Sequence, residues 1–327
     1  MEKVFTETLL HWYSEFGRDL PWRRTRNPYA IWLSEIILQQ TRIAQGQAYW
    51  ERFMERFPTV EALAAASEDE VLRLWEGLGY YSRARNLHTA AQQIVALGAF
   101  PHTLEGIRAL KGIGDYTAAA IGSIAFDIPT AVVDGNVYRV LARYYGIETP
   151  VGTTAAKKEF TERAQSLLPE DRPGDFNQAM MDFGAIQCTP SNPACLTCPL
   201  AEQCIALKTG RVDTLPLRQP AAAVQTRKLT YLYLRCNGQT AIHRRGPGDI
   251  WQGLWEPLTE LIPGLNPRLL RQGVRHQLTH RTLIADFYLA ETEQAPALPE
   301  GYIWIPETEL DRYGKPRLFE RLLQALD

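Results

Sequence analysis

The chain has 327 residues, 45% hydrophobic and 22% charged, with a formal net charge of −2, enough length for one large or two ordinary domains. No apolar run approaches the length that spans a bilayer, and the opening MEKVFTETLLHWYSEF lacks a signal peptide's charged head and apolar middle, so neither a membrane protein nor an exported one is expected. A chain-wide basic footprint is excluded as well, with 21 basic against 25 acidic residues up to residue 217 and 14 against 12 beyond it; any nucleic-acid contact must come from local geometry.

Residues 1 to about 207 read as almost wholly helical. NPYAIWLSEIILQQTRIAQGQAYWERFMERF, SEDEVLRLWEGLG, SRARNLHTAAQQIVALG and TAAKKEFTERAQSLL carry apolar residues three and four apart, and Pro58, Gly98 and Pro169 mark stops. No strand signal precedes residue 220. In YAIWLSEIILQQTR, Glu35 stands between Trp32 and Ile36-Ile37-Leu38. A carboxyl so enclosed loses hydration and holds its proton to higher pH, which makes it a candidate acid; alternatively Ser34, Glu35, Gln39 and Arg42 form a polar surface stripe. Further on, LRLWEGLGYYSRARNL gathers Gly77, Gly79, Tyr80, Tyr81, Arg83 and Arg85 at a turn before a helix. That composition suits bases and phosphates, and equally a core tyrosine flanked by solvated arginines.

LKGIGDYTAAAIGSIAF has Gly112 and Gly114 in a turn that feeds a small-residue helix, so its amides can face an anion such as a phosphodiester, or the glycines can simply let two helices approach. No strand precedes this turn, which excludes a dinucleotide fold and with it a nucleotide cofactor. In PTAVVDGNVYRVLARYYG, Asp134 follows an apolar pair and precedes Gly-Asn, so it can cap the helix running through Val137 and Leu141. Helix-start amides favour a carboxylate there, and a cap with no further role reads the same way. QCTPSNPACLTCPLAEQC then places Cys188, Cys195, Cys198 and Cys204 at C-x6-C-x2-C-x5-C spacing. Disulfides fit poorly in a chain of this size without an export signal, while a structural zinc and an iron–sulfur cluster both remain open on spacing.

From Lys208 the periodicity fades, and KTGRVDTLPLRQPAAAVQTRK reads as a linker. LTYLYLRCNGQTAIHRR alternates on both sides of Asn237-Gly238, a hairpin signal; RTLIADFYLAE and GYIWIP add strands, and PRLLRQGV and PRLFERLLQAL add short helices. The last hundred residues are thus expected to form a separate α+β domain.

LPWRRTRNPYAIWLSEIILQQTR, GLGYYSRARNL, LKGIGDYTA, VVDGNVYRVLAR and the cysteine loop together resemble the adenine DNA glycosylases of the MutY type, in the helix-hairpin-helix superfamily that also contains endonuclease III. The resemblance covers about residues 5–207. It implies one 4Fe–4S cluster held by Cys188, Cys195, Cys198 and Cys204 in a structural role, with Cys236 outside the set. It implies monofunctional removal of adenine mispaired with 8-oxoguanine or guanine in double-stranded DNA, leaving an abasic site. Glu35 corresponds to the acid that protonates adenine N7. Asp134 corresponds to the carboxylate that stabilises the oxocarbenium ion and can briefly bond to the sugar, and Asn136 to a residue that orients it. Tyr116 stands where endonuclease III carries its Schiff-base lysine, so strand cleavage is not expected. Trp22 and Arg23 match residues of the adenine pocket, Gln40 and Tyr80 match residues wedged into the duplex, and Gly112, Ile113 and Gly114 match a phosphate-holding hairpin. A monomer in the bacterial cytoplasm is expected. The rival readings are a bifunctional endonuclease III-like pyrimidine glycosylase with lyase action and a non-catalytic DNA-binding module.

In this family the C-terminal domain is Nudix-like and reads 8-oxoguanine. RRGPGDIWQGLWEPLTELIPG resembles its Gly-Leu-Trp segment, but only Glu256 and Glu260 follow, too few for a magnesium-holding Nudix box. Leu278, Thr279 and His280 stand where the family's Phe-Ser-His meets the oxidised base. The expected architecture is a mostly α helix-hairpin-helix glycosylase domain over 1–207 with the 4Fe–4S loop at 188–204, a linker over 208–227, and an α+β Nudix-like domain over 228–327.

Overall fold

The computed structural model describes residues 2–219, 225–278 and 281–326. The chain divides into two compact units, Met1–Ala64 with Thr89–Pro220, and Ala65–His88 with Ala221–Asp327.

Helices build the first part of the chain: α1 (Glu2–Phe16), α2 (Pro28–Leu38), α3 (Ile43–Arg56), α4 (Val60–Ala65), α5 (Glu68–Leu74), α6 (Ser82–Leu97), α7 (Leu104–Arg108), α8 (Asp115–Phe126), α9 (Gly135–Tyr145), α10 (Thr154–Leu167), α11 (Pro173–Ile186) and α12 (Ile205–Lys208), with a 3-10 turn at Pro21–Arg23. α5 and the start of α6 belong to the second unit. Local chemistry sets several boundaries. Asn27 Oδ1 accepts the Tyr29 amide at 2.9 Å and Pro28 opens α2, while α9 runs from the Asp134 cap to Gly146 at φ 69°. The long apolar stretch 28–56 is two helices, because Gln40 at φ 57° breaks it between α2 and α3.

The core of the first unit joins Phe5 and Leu9 of α1 to Val137 and Leu141 of α9, Phe160 of α10, and Phe176, Met180 and Phe183 of α11. α11 approaches both α8 and α9 closely. A Cβ on Gly174 would stand 2.7 Å from the Ser123 carbonyl oxygen, and one on Gly184 would stand 2.6 Å from Asn136 Cβ. Asn177 ties α11 to the segment entering α9: its Oδ1 accepts the Val132 amide at 3.0 Å, and its Nδ2 donates to Ser123 Oγ at 2.9 Å and to the Thr130 carbonyl at 2.8 Å. These contacts fix where α9 begins.

Among the described residues the second unit holds a six-stranded sheet of β1 (Gln225–Cys236), β2 (Gln239–Arg244), β3 (Trp255–Glu256), β4 (Arg268–Gln277), β5 (Arg281–Thr292) and β6 (Tyr302–Pro306), followed by α13 (Arg317–Leu323). The order is β3-β2-β1-β5-β4 with β6 also on β2, and β1 runs parallel to β5. The β1–β2 turn uses Asn237 at φ 46° and Gly238 at φ 75°, as the Asn-Gly pair requires. PRLLRQGV, expected as a helix, is strand β4. Register shifts between Leu269 and Arg271 and between Arg271 and Val274 space its apolar residues irregularly, and Gly273 at φ 67° donates its amide to Asp286 Oδ1 at 2.7 Å. Bulges of this kind imitate a helical period. Glu256 is buried and bound within the domain, accepting from Tyr231 Oη at 2.9 Å and from Arg245.

Candidate active site

A cavity of about 610 Å³ opens in the first unit. Glu35 reaches it from the buried, strongly apolar helix α2, Trp22 and Arg23 from the Pro21–Arg23 turn, Tyr116 from the first turn of α8, and Asp134 and Asn136 from the start of α9. Residues more than a hundred positions apart in sequence thus line one space.

Glu35 is pushed up to about 7. Burial is the main cause and the Asp134 charge adds to it, against a hydrogen bond with Tyr116 and the charge of Arg23. Burial also raises the Tyr116 hydroxyl, reinforced by the Glu35 and Asp134 carboxylates. That hydroxyl donates to Met181 Sδ at 3.4 Å.

Asp134 Oδ1 accepts the amides of Asn136 and Val137, each at 2.8 Å, and its Oδ2 accepts Asn136 Nδ2 at 2.8 Å. Asn136 Oδ1 in turn accepts Arg139 Nη2 at 2.8 Å, and the same nitrogen donates to the Gly184 carbonyl at 2.6 Å. Arg139 Nε reaches the Cys188 carbonyl at 2.7 Å. The orientation of the Asp134 carboxylate therefore depends on α11 lying close enough to complete the chain. Gly184→Ala forces a methyl into Asn136, and the expected outcome is ~1–3 kcal/mol of lost stability. Thermal melting checks it.

Arg23 lines the cavity and Trp22 lies buried at its wall, edge-on to Trp50 with ring centroids 5.7 Å apart. Gln40 is an exposed lining residue held at φ 57°. Tyr80 falls in the second unit, at φ 49° and 44% exposed, with Arg83 over its ring at 5.7 Å. In the α7–α8 hairpin, Gly112 takes φ 77°, Ile113 is buried, and Gly114 stands at the N-cap of α8 without a side-chain cap. Leu278 donates its amide to the Arg281 carbonyl at 2.8 Å. Thr279 and His280 lie outside the described residues.

The 4Fe–4S cluster expected on the four cysteines is overturned. Among the described residues no three His, Cys, Asp or Glu side chains are placed to hold a metal ion. The thiols engage the protein instead: Cys188 Sγ accepts Arg143 Nη1 at 3.4 Å and Cys204 Sγ donates to the Arg143 carbonyl at 3.5 Å. Burial pushes Cys198 up to about 11 and raises Cys204, which keeps them protonated near neutral pH, whereas metal ligation needs thiolates. All four are free of disulfides, as is Cys236 in β1.

Sequence reasoning missed Arg18, Gln178 and Met181, which line the same cavity, and Asp182, which binds its arginines. Gln178, Met181 and Asp182 are three and four apart on α11, a polar-containing face within FNQAMMDFGA that could have marked them.

Residues 33–170 match the HhH-GPD superfamily base excision DNA repair proteins, 188–204 the iron-sulfur binding domain of endonuclease III, and 230–325 the NUDIX domain. The likeness of 188–204 is one of sequence; as placed, its thiols do not form a ligand set. An adenine DNA glycosylase of Buchnera aphidicola (subspecies Baizongia pistaciae) is 34% identical over 296 residues, covering 86% of this chain and 84% of that protein. The chain belongs to the adenine DNA glycosylase family. A second adenine DNA glycosylase, from Rattus norvegicus, is 45% identical over 227 residues, 65% of this chain but 44% of the rat protein, so the chain spans under half of that relative's length. Among solved structures, a thermostable thymine-DNA glycosylase is 31% identical, with a TM-score of 0.58 over 64% of this chain and 97% of its own. Among the described residues no helix is long and apolar enough to cross a membrane.

Proposed function

We propose that this chain is a monofunctional adenine DNA glycosylase, acting on double-stranded DNA with adenine opposite 8-oxoguanine or guanine. The observation that carries the reading is one cavity containing a carboxyl poised near neutral pH, Glu35, and a second carboxylate, Asp134, held by three N–H donors. An adenine turned out of the duplex enters this space. Glu35 gives its proton to N7, the C1′–N9 bonding pair leaves with a neutral base, and the Asp134 carboxylate stabilises the oxocarbenium ion. Glu35, now ionised, takes a proton from the water that attacks C1′. Asn136 keeps Asp134 aimed. Tyr116 is a phenol and forms no imine with the opened sugar, which supports excision without strand cleavage and disfavours the bifunctional reading.

Residues 1–207 are assigned to glycosylase work and 228–327 to reading the oxidised base through Leu278, Thr279 and His280; of the expected linker 208–227, residues 225–227 already pair in β1. Arg23 serves the base pocket. Gln40 and Tyr80 serve as wedges; their positive φ supports this, because backbone strain is retained where it presents a side chain. Gly112, Ile113 and Gly114 serve a backbone phosphate.

The test is single-turnover cleavage of duplexes with adenine opposite 8-oxoguanine, guanine or thymine, read with and without alkali. Breaks that need alkali and form fastest opposite 8-oxoguanine are expected. Breaks without alkali would contradict the role of Tyr116, equal rates opposite 8-oxoguanine and guanine would contradict the recognition loop, and no adenine release would return the non-catalytic module.

A further inference from the structure

Asp182 of α11 has a side chain with no solvent exposure and takes no part in the steps above. Its two oxygens accept from the Arg18 amide and Nε, each at 2.8 Å, from a further Arg18 guanidinium nitrogen, and from Arg23 Nη1 at 2.6 Å and Nη2 at 2.8 Å. Burial works to raise the Asp182 carboxyl, but the bonds from Arg23 and Arg18 outweigh it and hold it below the usual value. Both arginines line the cavity that contains Glu35. Arg23 is further pinned by the Arg18 carbonyl at 3.1 Å and by the Tyr13 ring at 5.7 Å.

A buried carboxylate with two guanidiniums is an expensive arrangement, and removing its charge alone is strongly destabilising. Hydrophobic packing would serve α11 as well. The placement makes sense if the cavity needs the arginines where they are without their full charge. Around Glu35 stand Arg23 from the 3-10 turn, Tyr116 from α8 and Asp134 from α9, with Arg18, Arg42 and Tyr138 also lining the space. The Arg23 charge works against the proton on Glu35, and the Asp134 charge works for it.

We propose that Asp182 is a positioning residue for base excision: it fixes the Arg18 and Arg23 guanidiniums along the cavity wall and offsets their charge beside Glu35. This rests on the glycosylase reading. With Nη1 committed to Arg18 O and Asp182, and Nη2 sharing one hydrogen with Asp182, Arg23 retains N–H groups that can meet ring-nitrogen acceptors of an extruded purine. Asp182 fixes the plane in which they lie.

The experiment is a carbon-13 NMR titration of the full chain labelled at glutamate carboxyls, with Glu35 assigned from Glu35→Gln. It reads the proton affinity of Glu35 whether or not the chain excises adenine, so failure of the glycosylase reading shows separately in the cleavage assay. In Asp182→Asn the Glu35 midpoint is expected to fall by about one unit, and the alkaline limb of the single-turnover rate to move with it. In Asp182→Asn combined with Arg18→Met, which removes one charge of each sign, the midpoint is expected to return toward the wild-type value. This double variant also serves if the single one does not fold. An unchanged midpoint in folded Asp182→Asn, or a double variant that titrates well below wild type, would overturn the proposal. Asp182→Glu, which keeps the charge, is expected to restore the midpoint while lowering the rate through misplaced arginines.

Discussion

Replacing Glu35 by glutamine is expected to slow adenine release by about 10²–10⁴-fold, the contribution of one general acid. The same change is expected to stabilise the fold at alkaline pH, and the two effects share a cause. Glu35 is raised from 4.5 to about 7, chiefly by burial. A group whose folded pKa exceeds its unfolded one gives its full stability below the unfolded value and loses it as pH climbs through the folded value. For Glu35 that loss runs from about pH 4.5 to about pH 7. Glutamine does not ionise, so the variant should match the wild type near pH 4.5 and exceed it at pH 8 by about 3 kcal/mol. Thermal melts across this range check the stability, and the wild-type rate should decline above about pH 7. Equal melting of the two proteins at pH 8 would mean that Glu35 is well hydrated and lacks the environment of an acid.

The cavity is partly legible in the sequence because two of its carboxylates carry local signatures. Glu35 interrupts one of the most apolar runs in the chain, and Asp134 occupies a cap position that backbone chemistry dictates. Asp182 shares only the polar-containing face of α11, which marks the position without saying what it meets. Its meaning comes from Arg18 and Arg23, 164 and 159 residues away, and from the packing of α11, which local periodicity does not encode. Strand β4 reads as a helix in the sequence for a related reason: its bulges exist only in pairing with β5. The cysteine loop marks another limit. Its spacing speaks to family likeness, but whether thiols converge depends on Arg143 and on burial, and here they do not form a ligand group.

For Asp134, the question left by the sequence is whether it caps α9 or also acts on the sugar, and Asp134→Asn separates the two. Asparagine caps a helix as well as aspartate does, so the bonds from the Asn136 and Val137 amides can persist at Oδ1. The second arm changes. An amide nitrogen there faces Asn136 Nδ2, donor against donor, and turning the Asn136 amide would withdraw the oxygen that Arg139 Nη2 occupies at 2.8 Å. One lost hydrogen bond sets the stability cost at about 1 kcal/mol. The chemical cost is larger, since the negative charge beside C1′ disappears, and the expected rate loss is about 10²–10³-fold. Asp134→Ala, which removes cap and charge together, should lose about another 1 kcal/mol of stability with a rate no better than the asparagine variant. If Asp134→Asn instead keeps its rate within tenfold of the wild type, the residue is a cap, and the oxocarbenium ion must find its stabilisation elsewhere in the cavity.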